Sequence, residues 1–136
     1  MKQEEIEKGL ARLKARMPER WNNIACDEGW YQLLFDLDTV LADIDPDYKI
    51  AQIKEKFGGL RFYIESGPSR EEVPLFYELI RKAEDLSYRT CEVTGGPGVL
   101  MKKIGGGYIR TLNPESPGVL DNWEVVDSKY LKDFGR

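Results

Sequence analysis

Apolar residues recur along the chain with two periods, and the switches between them outline the fold. Over residues 2–17, Ile6, Leu10, Leu13 and Met17 return at spacings of three and four, which is one face of a helix. Pro18 ends that helix, because the residue before a proline is pushed out of the helical region. Residues 19–28 form a connector that carries Trp21. A second helix is expected from about Asp27, a suitable N-cap, to Ile44. Trp30, Leu33, Leu34, Leu37, Leu41 and Ile44 give it a wide apolar stripe. The period then drops to two. Residues 49–57 and 60–65 read as strands separated by Gly58-Gly59, a pair that can take the positive φ of a tight hairpin turn. Ser69 and Glu72 form a capping box for a third helix, whose core face is Val73, Phe76, Leu79, Ile80, Ala83 and Leu86. It ends near Tyr88. Residues 99–104 and 108–112 form a second hairpin around Gly105-Gly106-Gly107. The segment after Leu120, with Trp123, Val125 and Val126, is expected to pack back. The order is ααββαββ, with no repeat and no dividing linker. It predicts one α+β domain over residues 1–136, antiparallel hairpins packed with about three helices.

A two-residue turn at Gly58-Gly59 fixes a register. Phe57 then faces Leu60, Lys56 faces Arg61, Glu55 faces Phe62, Lys54 faces Tyr63, and Ile53 faces Ile64. One side of the hairpin carries Ile53, Phe57, Leu60, Phe62 and Ile64, with Glu55 as the only polar member. The other carries Lys54, Lys56, Arg61 and Tyr63. Like charges directly opposed across two strands destabilise the pair. An anionic ligand would offset that, with a guanidinium fork and ammonium groups on phosphate and a tyrosine ring on a base. The alternative is a solvated face whose cations pair with Glu65 and other acids. Glu55 needs a partner or a place at the sheet edge, and a cation from the first or third helix would serve. In the second hairpin, Lys102 and Arg110 are candidates to pair across the strands. They would extend the basic surface of Lys54, Lys56 and Arg61.

Composition narrows the chemistry. The net charge is −4, so the chain lacks the general basic field of a nonspecific nucleic-acid binder and leaves room only for a local patch. Histidine is absent. That removes the commonest general base and metal ligand, and with it every Ser-His and Cys-His mechanism. Cys26 and Cys91 are expected as free thiols in a reducing compartment. No apolar run is long enough to span a membrane, and the charged N-terminus is unlike a signal peptide, so a cytoplasmic location is expected. The glycine clusters read as turns, since no Lys-Ser/Thr follows them as in a P-loop. Asp36, Asp38, Asp43, Asp45 and Asp47 read as a solvated acidic face rather than a divalent-metal site. Trp21 and Trp30 read as core. No catalytic constellation emerges, and the chain is expected not to be an enzyme.

Four segments carry a resemblance: Cys26-Asp27-Glu28-Gly29-Trp30, the block from Gln52 through Lys54-Glu55-Lys56-Phe57-Gly58-Gly59-Leu60-Arg61-Phe62-Tyr63, Ala83-Glu84-Asp85-Leu86-Ser87, and Cys91-Glu92. Across roughly residues 24–112 the chain resembles a family of small, mostly uncharacterised proteins of tailed phages and prophages. In many members the later segment looks like a zinc ribbon. Here Cys91 is kept, but Thr94, Asn113 and Ser116 stand where the other ligands would be. One thiolate cannot hold structural zinc, so no zinc and no other cofactor is expected. The phage setting implies a host-interaction or anti-defence role. Together with the basic face, it leads to a nucleotide-binding protein that sequesters a small nucleotide immune signal. Lys54, Lys56 and Arg61 would take phosphate, Tyr63 and Tyr108 would stack on a base, Arg110 would close the site, and a homo-oligomer would complete it. Two alternatives stand beside this one. They are a protein-interaction module that inhibits a host defence enzyme and a nucleic-acid accessory protein of zinc-ribbon ancestry.

Overall fold

The computed structural model describes residues 1–126. The elements run α1 (Gln3–Lys14), β1 (Ile24–Ala25), α2 (Tyr31–Ile44), β2 (Lys49–Lys56), β3 (Gly59–Ser66), α3 (Val73–Ser87), β4 (Val99–Lys103), β5 (Ile109–Leu112), α4 (Val119–Asn122) and β6 (Trp123–Val125). This is the expected α+β plan, with two further short strands and a short helix. Single 3₁₀ turns at Glu19–Trp21 and Glu28–Trp30 precede β1 and α2. The strands form two sheets, β1-β2-β3 and β5-β4-β6. β1 runs parallel to β2, and every other pairing is antiparallel. The segment after Leu120 does pack back, since β6 adds to the free side of β4. The expectation for residues 127–136 lies outside the described residues. Among those described, no helix is long and apolar enough to cross a membrane.

The stripes read from the sequence meet on one side of the first sheet. Leu13 and Met17, then Trp30, Leu33, Leu34, Leu37 and Leu41, then Phe76, Ile80 and Ala83 close over Ile50, Ile53, Leu60 and Phe62. Each such side chain removed from water contributes about 1.5–3 kcal/mol. A smaller cluster of Cys91, Met101 and Leu112, with Val119 and Trp123 against it, fills the second sheet.

Helix starts differ from expectation. α2 begins at Tyr31 behind a 3₁₀ turn, and Asp27 makes no capping bond. Its carboxylate is engaged by Arg110 instead. The Ser69–Glu72 capping box does not form. α3 starts at Val73, and Ser69 takes part through its carbonyl, which accepts from Glu72 and Val73. Asp38 is not on a solvated acidic face. It is 1% exposed, salt-bridged to Arg12 at 2.8 Å and Arg16 at 2.7 Å, and it accepts the Tyr48 hydroxyl. Arg16 also donates to the Pro46 carbonyl, and its guanidinium lies 4.2 Å from the Tyr48 ring centroid. A buried carboxylate is tolerated when it is paired and hydrogen-bonded in this way, and the network joins α1 to α2 and the approach to β2.

α3 also seals the outer edge of the first sheet. Leu60 and Phe62 point their amides away from β2, and these are taken by Ser87 Oγ and Glu84 Oε2, both at 2.9 Å. With these two donors occupied, that part of the edge is a poor template for another strand.

Candidate functional site

The first hairpin turns one step earlier than the glycine pair suggested. Lys56 pairs with Gly59, Glu55 with Leu60, Lys54 with Arg61, Ile53 with Phe62, and Gln52 with Tyr63. The turn residues are therefore Phe57 and Gly58, both with positive φ, +53° and +85°. Gly59 is not in that region. Its lack of a side chain has another cause: the ring of Tyr88 fills the space a Cβ would need. The expected pairing of Lys56 with Arg61 is thus replaced by Lys54 with Arg61. The partner of each residue moves by two places, an even slip, so the faces keep their composition. Phe57 is the exception. It sits at the tip, 47% exposed, and not in the core.

On the face away from the core, successive rows cross the sheet. Ala25, Lys54 and Arg61 are register partners and make one row. Gln52 and Tyr63 make the next, about 7 Å further along the strands. Lys56 stands toward the turn, and Tyr88 closes that end, where Arg61 Nη1 donates to the Tyr88 hydroxyl at 3.4 Å. Tyr63 is 43% exposed. The Lys54 ammonium lies 5.9 Å from its ring centroid, and Lys56 lies 5.7 Å from that of Phe57, contacts that hold the cations over aromatic faces. Among the described residues no carboxylate salt-bridges Lys54, Lys56 or Arg61. Four of the sequence-predicted residues are therefore brought together on one uncovered surface. Tyr88 and Gln52 join them. Nothing in the sequence marked Tyr88, because Gly59, against which its ring packs, reads there as part of the turn.

Tyr108 and Arg110 lie elsewhere. Arg110 is not opposite Lys102. It pairs with Met101, while Lys102 pairs with Ile109. The Arg110 guanidinium is clamped between Asp27 and Glu92, the latter at 3.2 Å. Glu92 in turn accepts the Asp27 amide at 3.0 Å. Burial pushes the Glu92 carboxyl above its ordinary value, against the restraint of that amide and of Arg110. The clamp borders a shallow cleft of about 370 Å³ that also touches Cys26, Glu55 and Tyr108. Burial, reinforced by the charges of Glu92, Asp27 and Glu55, pushes the Cys26 thiol up to about 12. The Tyr108 ring leans on Trp123, with centroids 5.9 Å apart. Glu55 finds its partner in the turn, accepting the Gly58 amide at 2.7 Å, and not in a helix cation.

Cys91, the one cysteine expected to remain from a ligand set, sits in the second sheet's core. The buried Cys91 sulfur accepts the Thr94 amide at 3.4 Å. Burial alone would raise this thiol, but the Thr94 hydroxyl and the amides of Thr94, Asn113 and Val93 bring it below the ordinary value. Among the described residues, no three His, Cys, Asp or Glu side chains converge as a metal site would require.

Trp30 is core, as expected, and its indole donates to the Thr90 carbonyl at 2.8 Å. Trp21 is not. It is 58% exposed beside the first sheet. No family model, curated protein or solved structure matches the chain.

Proposed function

We propose that the chain binds a nucleotide on the open face of its first sheet and acts by holding it rather than by turning it over. The observation that carries this reading is the direct opposition of Lys54 and Arg61, with no carboxylate salt-bridged to either among the described residues. Opposed like charges cost a few tenths of a kcal/mol, and a phosphate or pyrophosphate reverses the sign of that term. Arg61 offers a planar fork, Lys54 and Lys56 point charges, and Tyr63 a stacking surface one row away. The likeness of the Lys54–Tyr63 block to phage proteins gives the binding a purpose: removal of a small nucleotide signal from a host defence, by a homo-oligomer in the host cytoplasm.

The test is a thermal-shift series with cyclic dinucleotides, cyclic ADP-ribose derivatives and linear nucleotides. Binding to the folded state alone raises the melting point as RT ln(1 + [L]/Kd). At least one compound is expected to raise it, and Arg61→Ala is expected to abolish the rise. If no compound moves the transition, sequestration is wrong. A second reading is favoured by one feature: the face is open along its length, which suits a single strand laid across it. A short oligonucleotide in the same series, with affinity falling steeply as salt rises, would select that reading.

A further inference from the structure

We propose that the groove beside Trp21 is a nucleobase subsite, continuous with the cationic face and serving the nucleotide-binding reading above. The groove, about 280 Å³, is lined by Arg20, Trp21, Asn22, Asn23 and Gln52, with Ala25 of β1 and Ile53 of β2. That is just under the ~300–1,000 Å³ of pockets for drug-sized ligands, and it suits a single planar ring system.

Four observations point to a base. The Trp21 ring is exposed, although tryptophan is more often core. An exposed indole gives up stabilisation unless something covers it, and bases stack on aromatic rings whatever their identity. Three carboxamides, those of Asn22, Asn23 and Gln52, ring the same groove. Among the described residues none of them, nor the Trp21 indole N–H, has a hydrogen-bond partner. Carboxamides supply a donor and an acceptor side by side, the pattern that reads a base edge. The register supplies the third observation. Gln52 lines the groove and is also the cross-strand partner of Tyr63, so it stands between the two exposed rings. The fourth is the neighbouring row. Ala25, on the groove wall, is the register partner of Lys54, which faces Arg61. A base against Trp21 therefore puts its sugar over Gln52 and its phosphate at the Lys54–Arg61 row, a step of about 7 Å along the strands. Arg20 lies at the groove rim, where a guanidinium can stack on the base or take a second phosphate.

The chain has three tryptophans, so ¹⁵N-labelled protein gives three indole N–H resonances, and Trp21→Ala identifies that of Trp21. Adenosine, AMP and ribose 5-phosphate are titrated to millimolar concentration. Adenosine and AMP are expected to shift the Trp21 indole and the Gln52 carboxamide while leaving buried Trp30 unmoved, and ribose 5-phosphate, which carries no base, is expected to leave both indoles unmoved. Trp21→Ala weakens AMP by about tenfold, the usual worth of one stacked base. Arg61→Ala weakens AMP but not adenosine. If AMP binds in an Arg61-dependent manner while the Trp21 and Gln52 signals stay fixed, the subsite is wrong and the phosphate site stands. If adenosine moves Trp21 and Arg61→Ala changes nothing, the subsite stands and the phosphate assignment fails. If neither adenosine nor AMP perturbs Trp21 or depends on Arg61, both fall.

Discussion

Single residues departed from sequence expectation wherever their partner lay far along the chain. Asp38 sat among four other aspartates, and nothing local marked it as the one that Arg12, Arg16 and Tyr48 would enclose. Trp21 followed a helix stop with no periodic neighbours, so its exposure could not be read in advance. Cys26 illustrates what such surroundings do. Its thiol is pushed up to about 12 by burial and by Glu92, Asp27 and Glu55. The folded state then holds a proton that the unfolded chain releases near pH 9, so the stabilisation is complete below pH 9 and is lost as pH rises towards 12. Chemical denaturation between pH 8 and 11 should show Cys26→Ser losing less stability with rising pH than the parent. A matched slope in the two proteins would mean that the thiol is not held in this way. Alkylation of Cys26 in the folded protein should also be slow at pH 8, since the thiolate is the reactive form.

At the scale of elements, the period of the apolar pattern was enough to place all three long helices and both hairpins. It failed on the register of the first hairpin, because two adjacent glycines offered two turn positions and only one needed positive φ. Gly58 is there for the turn and Gly59 for the Tyr88 ring, a contact made by a residue nearly thirty positions away. The tip is also a docking point. The Gly58 carbonyl accepts the Thr111 hydroxyl at 2.7 Å, and a Cβ on Gly58 would run into the Leu100 side chain. Gly58→Ala therefore carries both a left-handed backbone cost, ~1–2 kcal/mol, and a steric one. Urea unfolding should show a loss of about 2 kcal/mol or more, with the Thr111 amide and its neighbours in β5 exchanging faster. A substitution tolerated without loss would show that the tip does not seat against the second sheet.

For the molecule as a whole, the α+β class was legible and the way its two sheets meet was not. The seam is made of Trp30 on Thr90, Gly29 on Glu92, and Arg110 clamped by Asp27 and Glu92. Arg110 looked like a ligand residue because a cation in a glycine-rich hairpin has no visible partner in sequence, yet its two carboxylates are 83 and 18 positions away. Arg110→Met would leave Glu92, 4% exposed, without its cation. Stripping one partner from a buried pair costs ~3–5 kcal/mol. Because the Glu92 carboxyl is already raised, that cost should shrink as pH falls, for a protonated acid no longer needs the guanidinium. Melting curves of the variant and parent should therefore converge as the pH falls into the acid range. A constant gap across pH would place the clamp's contribution in packing and not in charge. The edge of β3 carries a last consequence. With its outward amides at Leu60 and Phe62 already spoken for by α3, a passing extended segment finds two of the donors it would need there engaged. Growth of the cation-bearing sheet on that side, into a fibre or by trading strands with a copy of itself, is thereby disfavoured where α3 covers it.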